Sequence, residues 1–162
     1  MPRTKLAPCL WFDRRAEEAA LLYTSLLPDS RIDHIQRAAV DYPGGKAGDV
    51  LLVEFTLAGL SYQGLNGGPH DPFNDAISLS VACQDQAEVD RLWDALIADG
   101  GRPVQCGWLK DRFGVSWQIV PDALFAMMRD PDGAKAKRTM EAMMGMVKLD
   151  LAALRRAFDG AA

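Results

Sequence analysis

Between Gln105 and Pro121 the chain gathers the side chains best suited to chemistry. Cys106 brings a thiol, Trp108 and Trp117 two indoles, and Gln118 a carboxamide, while Asp111 opens an Asp-x-x-Gly turn closed by Gly114. A thiolate is a strong nucleophile once a base or a local positive charge favours it, and while no His lies near Cys106 in sequence, Lys110 and Arg112 do. Free cysteine is also among the most buried residue types, so a core position is the simpler role for Cys106. Asp111 could act as an acid or base, although capping its own turn is the simpler role. Two indoles this close need a large apolar space, and their N–H groups need partners if buried. A Gln inside a strand has the same need. The segment suits the wall of a small-molecule cavity.

The rest of the composition narrows the class. With 162 residues, 49% hydrophobic and 25% charged, the chain reads as one soluble globular domain, 1–162, or as two small repeated modules. A net charge of -4 offers no basic face, so a nucleic-acid partner is not expected. The apolar runs are too short to span a bilayer, and the first residues lack the apolar core of a leader, which predicts a cytoplasmic protein with no membrane partner. Cys9, Cys83 and Cys106 are odd in number and show no CxxC spacing, which predicts reduced thiols and neither a disulfide framework nor a zinc site.

The elements that would position the segment repeat along the chain. Periodicity predicts a strand over 6–12, a helix over 16–26 started by Asp13 and stopped by Pro28, and strands over 30–39, 50–57 and 60–65. Glycine and proline mark a loop over 41–48 and a linker over 66–72. A strand over 76–82 follows, then a helix over 86–99 ended by Gly100 and Gly101, then strands near 105–109 and 114–120. The order strand, helix, then two or three strands therefore occurs twice, over 6–66 and 75–120, at a period of roughly 65 to 70 residues. The tail, 121–162, reads as helical. Its methionines, among them Met140, Met143, Met144 and Met146, suit a dimer or domain packing surface.

This doubled βαβββ order resembles the vicinal oxygen chelate superfamily, which includes glyoxalase I and the extradiol dioxygenases. Several stretches are similar to its PhnB-like group, often labelled 3-demethylubiquinone 3-methyltransferase-like. They are Pro8 to Asp13, Ala16 to Ala19 with Tyr23, Leu65 to Pro69, Pro131 to Gly133, Met146 to Asp150 and, above all, Cys106 to Gln118. The resemblance implies an α+β fold in which two βαβββ modules form a cupped eight-stranded sheet, followed by the helical tail. It also implies a site on the concave face and a homodimer. Methyl transfer is implied only by the label: the chain has no Gly-rich strand-to-helix loop followed by an acidic residue for a Rossmann-type methyl donor site.

Metal-dependent members of the superfamily place His or Glu on the cupped strands. Laid on that pattern, this chain has Ala7, Gln63, Ala76 and Gln118 at the four positions. Carboxamides are poor ligands for zinc, nickel or iron, and the two histidines, His34 and His70, fall elsewhere, so no metal and no cofactor is expected. Residues two apart in a strand share a face. If Gln118 faces the cup, so does Ser116, while Trp117 packs outward against helices. Cys9, Trp11, Gln63, Ser78 and Ser80 would join them, with Cys106 or Trp108 from a neighbouring strand. That set suits a neutral, partly apolar ligand with a few hydrogen-bonding groups. The same residues would also serve as packed core, with Gln63 and Gln118 satisfying each other. The chain thus reads as a small-molecule-binding protein or as an enzyme on a small metabolite, with Gln118, Cys106 and Asp111 as the polar participants.

Overall fold

The computed structural model describes residues 5–161. The four residues before Lys5, read above for a leader, lie outside that range. The chain divides at Phe73 and Asn74 into two compact units.

The first unit runs β1 (Cys9–Phe12), α1 (Ala16–Leu26), β2 (Arg31–Arg37), β3 (Val50–Leu57) and β4 (Leu60–Asn66). Its four-stranded sheet has the order β1-β4-β3-β2, with β1 parallel to β4 and the other neighbours antiparallel. A parallel pair needs a crossover, and α1 begins it. Ala16, Ala19, Ala20 and Tyr23 of α1 are buried, as are Leu10, Val53, Phe55 and Leu57 of the sheet. The helix comes so close that a Cβ on Gly64 would stand 3.2 Å from the Ala16 methyl.

Two expectations shift here. The first strand begins at Cys9, not Leu6. Pairing opens where the Gln63 amide donates to the Pro8 carbonyl, and the first Cα partners are Cys9 and Gln63. The start of α1 is also served from a distance: Arg15 stands at the N-cap without a side-chain cap, and Asn66 Oδ1 accepts from the Ala16 amide at 2.9 Å. Asp13 is therefore not the cap.

The second unit repeats the plan with β5 (Leu79–Cys83), α2 (Gln86–Ile97), β6 (Arg102–Pro103), β7 (Trp108–Lys110) and β8 (Ser116–Pro121). Its sheet order, β5-β8-β7-β6 with β5 parallel to β8, matches that of the first unit strand for strand. The two βαβββ modules of the sequence reading are thus present. Asp85 caps α2 by accepting from the Glu88 amide, and Glu88 reaches back to the Gln84 amide. The helix stops at Ile97, and a 3-10 turn over Ala98–Gly100 follows. Gly101 fits there because any Cβ would lie 2.4 Å from the Leu96 carbonyl oxygen.

The remaining corrections fall around these strands. The fifth begins at Leu79, so Ala76 and Ser78 lie before it, in a stretch held by side chains instead of a ladder. The seventh begins at Trp108, because Cys106 adopts φ 57° and its amide donates to the Met146 carbonyl at 2.8 Å. Cys106 is therefore a turn residue, not a strand residue.

The tail forms α3 (Asp122–Met128), α4 (Gly133–Met144) and α5 (Leu151–Asp159). Leu124, Met127, Leu149, Leu151 and Leu154 bury themselves against Val120 of β8, with Met143 and Met146 packed around them. Gln86 fastens the tail to α2: its Nε2 donates to the Leu149 carbonyl and its Oε1 accepts from the Leu151 amide. No helix among the described residues is long and apolar enough to cross a membrane.

Candidate functional site

Strand alternation sorts each sheet into a face against its helix and a face turned away from it. In the first unit the away face carries a row of four side chains, one per strand: Cys9, Gln63, Glu54 and His34. Gln63 Nε2 donates to Glu54 Oε1 at 3.3 Å. The next row is Trp11, Leu65, Leu52 and Gln36. Trp11 donates from Nε1 to the Gly68 carbonyl at 2.8 Å, and its ring fills the space where a Cβ on Gly67 would stand. Cys9 is exposed at the surface, yet loss of water around its sulfur raises the thiol pKa.

Glu54 was missed from the sequence, and His34 was placed there only outside the metal-ligand positions. The signal was a single carboxylate in the apolar run Val50 to Leu57, which alternation puts on the same face as Val50 and Leu52.

In the second unit the away face carries Ser80, Gln118 and Trp108 in register across β5, β8 and β7. Gln118 Nε2 donates to Ser78 Oγ at 2.9 Å. The two glutamines thus find partners within their own units. The neighbouring row on β6, β7 and β8 is Arg102, Lys110 and Ser116. Ser116 Oγ donates to Asp75 Oδ1 at 2.9 Å, and Lys110 Nζ lies 2.8 Å from the same oxygen. These two contacts, Lys110 first, hold the Asp75 carboxyl below the usual carboxylate range.

Four of the expected residues therefore meet: Ser78, Ser80, Trp108 and Gln118, with Ser116 one row away. Cys9, Gln63 and Trp11 meet likewise in the first unit. Trp117 lies on the opposite face of β8, buried, as expected. Asp111 goes with Trp117: it is 3% exposed, and its Oδ2 accepts from Trp117 Nε1 at 2.9 Å. Its Oδ1 accepts from the Phe113 and Val115 amides. Cys106 is half-buried in its turn, outside the strand ladder.

The residues at the four positions compared above with metal ligands do not suit a metal by their chemistry. Ala7 and Ala76 carry no side-chain ligand atom and lie outside the strands, while Gln63 and Gln118 offer only carboxamide oxygens, poor ligands for zinc, nickel or iron. Among the described residues no three His, Cys, Asp or Glu side chains gather as a metal site.

A family model described as 3-demethylubiquinone-9 3-methyltransferase matches residues 4–120. Among solved structures, a putative 3-demethylubiquinone-9 3-methyltransferase, PhnB protein, from Bacillus cereus is 34% identical, with a TM-score of 0.66 over 73% of this chain and 99% of that one. Protein PA1353 from Pseudomonas aeruginosa shares the fold at 21% identity, with a TM-score of 0.52 over 71% of this chain and 95% of that one. A glyoxylase/bleomycin resistance protein/dioxygenase domain from Frankia sp. EAN1pec is 17% identical, with a TM-score of 0.47 over 72% of this chain and 95% of that one. Among curated proteins nothing matches. The family match over residues 4–120, together with the Bacillus cereus relative, establishes that the chain belongs to the 3-demethylubiquinone-9 3-methyltransferase family, the PhnB-like group.

Proposed function

We propose that the protein binds a small, partly aromatic molecule without a metal or cofactor, as a cytoplasmic homodimer. The row Ser80–Gln118–Trp108, with Ser78 and Ser116, is the principal seat, and Cys9, Trp11 and Gln63 are ligand-binding residues of the first unit. One observation carries this reading: a half-buried carboxamide stands in register with a half-buried indole and is oriented by a hydroxyl at 2.9 Å. An indole offers a flat apolar surface, and an oriented carboxamide offers both a donor and an acceptor, the combination small-molecule sites use.

The same residues could support an enzyme, and the family description names methyl transfer to a quinone precursor. In that reading Gln118, Cys106 and Asp111 are the polar participants. Asp111 lies with Trp117 on the other face of β8, and Cys106 lies in a turn, so the binding reading is favoured. Calorimetry with S-adenosylmethionine tests methyl transfer directly: saturable heat would restore it.

The deciding experiment is native mass spectrometry of protein purified from its own host, with metal analysis on the same sample. A dimer carrying an organic mass that is lost on Gln118→Ala supports the proposal. Stoichiometric zinc, nickel or iron would overturn the metal-free reading.

A further inference from the structure

Lys110 and Ser116 are set deep in the second unit. The Lys110 side chain is 15% exposed and Ser116 is 1% exposed. A cation with so little water around it is steadied by an anion close by. The anion it has belongs to Asp75, whose side chain is 69% exposed and which sits in the exposed stretch 74–77 before β5. A single oxygen, Asp75 Oδ1, takes both contacts, at 2.8 Å from Lys110 Nζ and 2.9 Å from Ser116 Oγ. The fixed partners are thus a cation and a hydroxyl on adjacent strands, and the carboxylate comes from outside the sheet. Arg102, paired with Lys110 across the ladder, adds a second positive charge that acts on Asp75. Trp108 and Gln118 lie two residues along the same strands on the same face, about 7 Å away at strand spacing.

We propose that Lys110 and Ser116, backed by Arg102, form a seat for the carboxylate of a small aromatic acid, and that Asp75 fills this seat in the free protein as an internal stand-in. A ligand carboxylate displaces Asp75 and takes its two contacts, while the aromatic body lies along Trp108. This rests on the reading of the Gln118–Trp108 face as the ligand site, and it replaces a neutral ligand by an anionic one.

The test is an NMR titration that follows the Trp108 indole N–H and the Lys110 and Ser116 amides, with 3-phenylpropionate and its neutral amide as probes. The acid should move all three signals in the wild-type protein and bind about tenfold tighter to Asp75→Asn, because the competing carboxylate is gone. The amide should bind more weakly than the acid and gain nothing from Asp75→Asn. Lys110→Met should lose the preference for the acid. If that variant does not fold, the acid-to-amide ratio in wild type and Asp75→Asn decides alone. Equal binding of both probes at Trp108, unchanged in Asp75→Asn, overturns the carboxylate seat and leaves the face as a ligand site. No shift of Trp108 with either probe overturns both.

Discussion

The Trp117 indole donates to Asp111 Oδ2 at 2.9 Å, and this one bond ties the last strand of the second unit to the turn before it. Asp111 Oδ1 accepts from the Phe113 and Val115 amides at 2.9 and 3.0 Å, so one carboxylate serves three donors. Removing it strands a buried indole N–H and two turn amides. Asp111→Ala should lower the unfolding free energy by about 3 kcal/mol. Urea unfolding measures it. A loss confined to ligand binding, at wild-type stability, would instead make Asp111 a site residue.

Asn66 holds α1 and β3 to the end of β4. Its Oδ1 accepts from the Ala16 amide at 2.9 Å and its Nδ2 donates to the Val50 carbonyl at 2.8 Å. Asn66→Ala removes a helix cap and leaves a carbonyl without this donor, for about 2 kcal/mol. Asn66→Asp keeps an acceptor for the Ala16 amide but sets a buried carboxylate oxygen against the Val50 carbonyl, so it should also destabilise the fold at neutral pH. Thermal or urea unfolding of both variants checks that each is less stable than wild type; wild-type stability in Asn66→Ala would show that neither bond of Asn66 matters.

The repeat was legible because its signals are local. Apolar spacing marked α1 and α2, and alternation with a two-residue turn marked β3 and β4, whose bounds came within a residue. In the candidate site, alternation reaches as far as placement: Gln118, Ser80 and Trp108 were expected on one face and share it. What failed depends on long-range bonds. Nothing in the neighbourhood of Cys106 shows that its amide meets Met146, forty residues on, and leaves the strand. Nothing near Ala16 shows that its cap is Asn66. Asp75, which stands before the fifth strand, drew no notice because its partners, Lys110 and Ser116, come from two other strands.

Asp75 should also set part of the acid response. Its folded-state pKa is lowered, chiefly by the Lys110 hydrogen bond and then by Ser116, so ionisation of this group favours the fold. That contribution is complete above the unfolded-state value of about 4 and is lost as pH falls through the lower folded value. Between wild type and Asp75→Asn, the stability difference should be constant at neutral pH and shrink below about pH 4. Parallel curves down to the lowest pH would show that Asp75 gains nothing from its two partners.

The three thiols should react in an order set by exposure and charge. Cys83 is fully buried, and burial first, with Glu88 adding to it, pushes its pKa up to about 12. Its sulfur stays protonated and shielded, and thiols react as thiolates. Iodoacetamide at pH 8 should therefore leave Cys83 unmodified until the protein unfolds. Cys9 is exposed, so a reagent can reach it, but its raised pKa keeps its thiolate fraction small and its labelling slow. Cys106, half-buried in its turn, is the informative case. Modification within minutes in the native state, ahead of Cys9, would mark a nucleophile and return the enzyme reading to the front. Protection until denaturation would confine Cys106 to packing, and the chemistry of this unit would then rest on Gln118 and the Lys110–Ser116 seat.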